Sequence, residues 1–228
     1  MSYDYLGLVN DINDRLNEVR LTSADFATAI GYYADAKNAV NQSLLRINIE
    51  EFEWPFNHQE VTLPLVVDQV KYNYEADVKS VAFDTFRIKG DTALNNKTTK
   101  LKVLDYEEFL EKYGDTEYNP EDYADVPTHV FRGRDLKFGL YPPPDQIYEL
   151  HYEYYRMPVD LVDFDDVPTV PEQFRFVILE GALYHAYLFR GGLEEAAASN
   201  ELFKKGLKDM RKIYTNRTEY VRSTVIRS

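Results

Sequence analysis

Apolar positions recur with a helical period at the start of the chain. Tyr5, Leu8, Val9, Ile12, Leu16 and Val19 stand at i, i+3, i+4, i+7, i+11 and i+14, one stripe of an amphipathic helix. Thr22-Ser23-Ala24-Asp25 offers cap residues for a second helix whose stripe runs Phe26, Ile30, Tyr33, Ala34, Val40, Leu44 and Ile47. The short connection at Leu21–Ser23 predicts an antiparallel pair. Pro55, within Glu53-Trp54-Pro55-Phe56-Asn57, ends that hairpin because proline cannot continue a helix.

From there to about Tyr155 the period falls toward two. Val61, Leu63 and Leu65 alternate. Val78–Lys89 reads as a strand with Val81, Phe83 and Ile88 inside, and Thr99–Leu104 as another. Asp105-Tyr106-Glu107-Glu108 has the form of a capping box opening a short helix to Tyr113. Gly114–Val126 is acidic and aperiodic, an exposed loop. Thr128–Arg132 and Leu136–Leu140 predict a hairpin around Gly133-Arg134-Asp135, and Tyr141-Pro142-Pro143-Pro144-Asp145 a rigid turn. In Ile147–Tyr155, residues Tyr148, Leu150, Tyr152 and Tyr154 share one face.

Helical spacing returns after Val167-Pro168-Thr169-Val170-Pro171, with Pro171 suited to a first turn. Glu172–Phe189 is apolar on most sides, which predicts a central helix. Arg190-Gly191-Gly192 breaks it, and Leu193–Tyr214 is the last helix. The expected fold is therefore α+β: a mainly helical bundle from residues 1–57 and 160–214, a β-rich insert over 58–159, and an extended C-terminal arm over 215–228.

Charge changes this picture at one end. The formal net charge is −13, yet the last 25 residues hold eight basic side chains against Asp209 and Glu219, a local +6 that leaves −19 on the preceding 203. Dipole complementation accounts for Lys204–Lys212 but not for Arg222 and Arg227. A basic arm on an acidic body fits docking on another acidic surface. An acidic body also repels nucleic acid, whose affinity comes largely from phosphate pairing. Nineteen tyrosines, with aromatic residues at 14%, suit surfaces that are wet alone and buried after assembly, although core packing and strand propensity draw on the same residues.

Candidate chemistry is sparse. The chain has no cysteine, so it forms no disulfide and no thiolate metal site. His58, His129, His151 and His185 lack the spacing of metal ligands. His151 alternates with Glu149 and Glu153, which admits a carboxylate-rich metal face against the simpler reading of a solvated strand. His185 on an apolar helix reads as a hydrogen-bonded core residue. The acidic runs Asp163-Phe164-Asp165-Asp166 and Asp115–Asp125 lack calcium-loop spacing. No nucleophile elbow, Walker loop or dinucleotide fingerprint occurs, so no cofactor is expected. Met1–Asn10 has no signal-peptide pattern, and no apolar run is long enough for a membrane span, so a soluble chain made in the cytoplasm is expected. Paired carboxylates of a hydrolase stay open as an alternative, since their separation is spatial.

A helical hairpin closed by Trp54-Pro55-Phe56-Asn57, strands ending in a tyrosine-rich alternation, and Val170-Pro171-Glu172-Gln173-Phe174-Arg175-Phe176 opening a long helix after an acidic loop resemble the adaptor proteins of podovirus-like tailed phages. These are also called tail tubular protein A or head-to-tail connectors. The resemblance covers roughly residues 4–57 and 147–214, with 75–135 unmatched and enlarged. It implies a structural, non-enzymatic virion protein of the neck, forming a dodecameric ring with itself. The helical part would seat on the portal protein and the β-rich part would face the tail nozzle (tail tubular protein B-like), with DNA passing through the shared channel. Under that resemblance Thr215–Ser228 is the portal-binding arm, through Arg217, Tyr220, Arg222, Val225, Ile226 and Arg227. Glu117, Glu121, Asp122 and Asp125 would line the channel or the nozzle face. Another virion interaction protein, a stopper or minor tail subunit, would share the composition but bind tail proteins without the portal.

Overall fold

The computed structural model describes residues 2–51, 53–89 and 98–214, so the predicted arm lies outside the described residues. The fold is mixed α+β, and the chain divides into two compact units, Met1–Asn57 with Pro158–Ser228, and His58–Met157. Helix α1 (Tyr5–Arg15) starts where the Asp4 carboxylate accepts from the Gly7 N–H at 2.7 Å. It is shorter than its stripe predicts: Leu16 caps it, Asn17 has φ 56°, and Val19 falls beyond its end. The second predicted helix is likewise two pieces. Thr22 caps a single turn, α2 (Ser23–Phe26), and α3 (Tyr32–Glu50) begins only after Gly31, whose φ of 59° is a backbone state that glycine adopts without steric penalty. Ile30 therefore leaves the core face on which its spacing had placed it. A 3₁₀ turn, Pro55–Asn57, closes this segment.

Among the described residues the second unit holds two four-stranded sheets. Strands β1 (His58–Pro64), β2 (Lys71–Asn73) and β3 (Val78–Lys89) come first. The predicted strand over Thr99–Leu104 is broken in the middle, into β4 (Thr98–Lys100) and β5 (Lys102–Leu104), which belong to different sheets. Leu101 marks the switch: its side chain is buried and its N–H donates to the Phe86 carbonyl at 2.8 Å. Helix α4 (Tyr106–Tyr113) follows its predicted cap, with the Asp105 carboxylate accepting from the Glu107 N–H at 2.8 Å. Then come β6 (His129–Arg132), β7 (Lys137–Tyr141) and β8 (Glu149–Arg156).

One sheet runs β1-β8-β3-β4 and the other β2-β7-β6-β5. The first is antiparallel throughout; in the second, β5 lies parallel to β6. Both feed one core, in which Leu150, Tyr152, Phe86 and Ile88 from the first sheet meet Tyr72, Val130, Phe138 and Leu140 from the second. The alternation read over Ile147–Tyr155 is the pattern that builds this core, since Tyr148, Leu150, Tyr152 and Tyr154 are all buried. Much of the tyrosine excess is therefore packing material.

That burial has a pH consequence. Burial pushes the phenols of Tyr72, Tyr74 and Tyr152 up to about 12. In the unfolded chain they ionise near 10, so between about pH 10 and 12 the unfolded state holds fewer protons than the folded one. Stability is full below pH 10 and falls as pH rises through that window. Tyrosinate absorbance and urea midpoints measured from pH 9 to 12 should move together. A midpoint that stays flat across the window contradicts the assignment.

The chain returns to helices through a 3₁₀ turn, Glu172–Phe174, into α5 (Arg175–Arg190), and after Gly191-Gly192 into α6 (Leu193–Tyr214). Helix α5 is central in its unit, touching α1, α3 and α6. Val177, Ile178, Ala182, Leu183 and Ala186 are buried against Val40, Leu44 and Ile47 of α3 and Phe203 and Leu207 of α6. Two polar contacts tie these helices together: buried Ser43 Oγ donates to the Ile178 carbonyl at 2.8 Å, and Arg175 Nε donates to Asp11 Oδ2 at 2.6 Å.

Candidate assembly surfaces

The two motifs that carry the family resemblance converge at one end of the helical unit. The last four carbonyls of a helix lack intrahelical partners, and Trp54 Nε1 donates to one of them, Ile47 O, at 2.9 Å. Phe56 stacks on the indole with ring centroids 5.5 Å apart. Buried Asn57 donates to Asn48 Oδ1 and accepts from Thr169 Oγ1 at 3.3 Å, which joins the first motif to the segment leading into the second. Tyr3 Oη donates to the Val170 carbonyl.

Into this setting comes the last turn of α6. The Tyr214 ring meets Phe174 at 5.6 Å, Phe56 at 6.0 Å and Trp54 at 6.5 Å, and Gln173 Nε2 donates to its hydroxyl at 3.0 Å. One turn earlier Arg211 pairs with Glu51 at 3.1 Å and Glu50 at 3.6 Å. Both motifs thus seat Tyr214, the last of the described residues. Of the basic cluster, Lys204, Lys212 and Arg211 already hold acidic partners within this unit. The arm residues Arg217, Tyr220, Arg222, Val225, Ile226 and Arg227 lie outside the described residues.

The four predicted channel acids differ in their surroundings. Glu117 is half-buried and paired with Lys71 Nζ at 2.8 Å. Glu121 and Asp122 share an exposed 3₁₀ turn, Pro120–Asp122, and exposed Asp125 accepts from the Val126 N–H at 2.7 Å. Tyr118 between them is 83% exposed. In the other acidic run, Asp166 Oδ2 accepts from the N–H groups of Val162 and Asp163 at 2.6 and 2.8 Å, so its carboxylate closes its own loop.

The histidines are held by local partners. His58 Nε2 contacts Glu153 at 3.0 Å, and His151 Nδ1 contacts Thr62 Oγ1 at 2.8 Å. Burial lowers the pKa of His129, with Lys102 adding to the effect, and lowers that of His185, with Arg46 adding to it. His185 is half-buried against the Tyr184 ring. Among the described residues no three His, Asp or Glu side chains gather as metal ligands. No described helix is long and apolar enough to cross a membrane.

A further surface was hidden from sequence reasoning. Arg190, at the end of α5, donates to the Leu16 carbonyl at 3.3 Å, pairs with Glu18, and lies over the Tyr32 ring at 4.4 Å. It thereby gathers the end of α1 and the start of α3 beside the α5–α6 turn. At that end Val19, Ile30, Phe189 and Leu193 are each more than 60% exposed. Periodicity assigned Val19 and Ile30 to buried stripes. Gly31 and the Thr22 cap were the available signs that the helices stop short of both.

Unsheltered apolar side chains gather at one end of the helical unit and the two motifs close around Tyr214 at the other, an arrangement that fits a structural protein. The family comparison agrees. The family model for SU10 adaptor protein matches residues 3–227, and the chain belongs to that family of phage structural adaptors. The match runs through 75–135, the section left out of the resemblance drawn from motifs alone, so the β-rich unit is part of the family pattern. No curated protein matches the chain.

Proposed function

We propose that the protein forms a dodecameric ring in the virion neck, joining the portal to the tail nozzle and enclosing the channel through which DNA passes. The helical unit would face the portal and the β-rich unit the nozzle. The observation that carries this reading is the seating of Tyr214: an arm that must hold a neighbouring ring under load needs a rigid base, and both family motifs build one. The exposed apolar side chains around Arg190 supply surface for a neighbouring subunit to cover. Exposed Glu121, Asp122 and Asp125 supply negative charge that would keep DNA from adhering to a channel wall. Glu117 contributes least, because Lys71 neutralises it.

The test is removal of residues 215–228 followed by co-sedimentation with assembled portal rings. Loss of binding, with the helical unit still folded by circular dichroism, is expected. Unchanged binding would remove the arm from the portal contact. Electron cryomicroscopy of the intact mixture gives the subunit count.

A further inference from the structure

The first sheet ends in two strands that, among the described residues, each have a single neighbour: β1 beside β8, and β4 beside β3. Strand β1 is a seven-residue edge in unbroken register with β8, from His58↔Tyr155 to Pro64↔Glu149. Regular edges of that length accept further strands, and proteins usually blunt them with lysine, a bulge or a mid-strand proline. Strand β1 has no lysine and no bulge, and its proline is its last residue.

The charge on this sheet is divided between its edges. The registers place Thr62, His151, Arg87 and Lys100 in one row across the four strands, on one face. Acidic groups on that face stand on β1 and β8, as Glu60, Glu149 and Glu153. Basic groups stand on β3 and β4, as Arg87, Lys89 and Lys100. Lys89 and Glu149 pair at 3.1 Å, and Glu153 pairs with His58 at 3.0 Å. Glu60, Arg87 and Lys100 are exposed, and among the described residues none of them has an ion pair.

We propose that these edges join copies of the chain head to tail, the β4 edge of one copy against the β1 edge of the next. The proposal rests on the ring assembly above and names its subunit contact. All four strands alternate in direction, so β4 meeting β1 continues the sheet antiparallel. With rows aligned, Lys100 faces Thr62 of the next copy and lies diagonal to Glu60, within reach of a long side chain. A head-to-tail contact between two different patches generates a ring when its rotation closes. Pairing of β1 with β1 would bring two acidic edges together, which disfavours a two-fold dimer.

The chain has no cysteine, so introduced thiols report cleanly. Thr62→Cys and Thr98→Cys, combined in one chain and treated with a short bismaleimide with and without portal rings, should give a ladder beyond dimer. Either substitution alone should not. Glu60→Lys or Lys100→Glu should each raise the concentration needed for assembly about tenfold. An equimolar mixture of the two should restore it, because each basic edge then meets an acidic one. Four results overturn the proposal: single-charge variants that assemble like the parent, dimers from Thr62→Cys alone, cross-links to the portal in place of another copy, or no self-association under any condition. Portal co-sedimentation of the same samples separates the two ideas. Rings that bind portal without the β1–β4 cross-link leave the adaptor reading intact and remove only this contact.

Discussion

Replacing Trp54 with alanine should lower the unfolding free energy by about 3–5 kcal/mol, the range for removing a buried large aromatic side chain. The indole is 1% exposed and does three things at once. It fills the space between Phe56 and the end of α6, it satisfies the Ile47 carbonyl, and it presents an edge to Tyr214. Alanine leaves a cavity and a buried acceptor without its donor. Trp54→Phe keeps most of the packing and loses only the donor, so it should fall by about 1–3 kcal/mol. Urea denaturation of both variants measures the difference. The functional consequence is separable. At a temperature where Trp54→Ala remains folded, portal binding should weaken, because Tyr214 has lost one wall of its seat. A Trp54→Ala protein with an unchanged denaturation midpoint would mean that the aromatic group does not hold α6.

Gly139→Ala should be nearly as damaging although it adds one methyl group. Gly139 sits on β7 opposite Phe131 of β6, and the phenyl ring lies across the glycine. A Cβ there would stand 2.0 Å from Phe131 Cζ and 2.4 Å from Cε2. The ring cannot retreat easily, because it stacks on Phe109 with centroids 3.9 Å apart. Overpacking of this kind costs about 1–3 kcal/mol, and the ring's confinement places Gly139→Ala at the upper end. Pairing it with Phe131→Ala checks the cause. If the clash is responsible, the double variant is more stable than the sum of the single losses by at least about 1 kcal/mol. Additive losses would mean that something other than the Phe131 ring opposes the added methyl group.

The elements legible in the sequence were those whose ends carry their own punctuation. Strand Val78–Lys89 and helix Leu193–Tyr214 start where predicted, and the alternation around Tyr152 named the core residues of β8, whereas on β3 the fully buried ring is Phe86 and the predicted Val81 and Phe83 are half-buried. Legibility failed where a long-range contact decides. Strand β2 is three residues long, too short to show a period, and exists because β7 lies beside it. Leu101 interrupts its strand because the core takes its side chain and Phe86 takes its N–H. In the first unit, Ile30 followed the helical period, but α2 stops at Phe26 and α3 starts only after Gly31, so Ile30 lies between helices. The same division holds for the functional surfaces. The two motifs were visible as sequence, whereas their meeting around Tyr214 depends on Asn57 and Thr169, which are 112 residues apart.

The pairing of His58 with Tyr155 has an evolutionary consequence. The β-rich unit begins at His58 and ends at Met157, and its first and last strands lie side by side. The hundred residues of this unit thus begin and end on neighbouring strands. Loop-closure entropy grows only with the logarithm of length, so lengthening, trimming or exchanging the chain between these two strands changes the stability of the helical unit little. Lineages can therefore exchange the β-rich unit while the helical unit stays as it is.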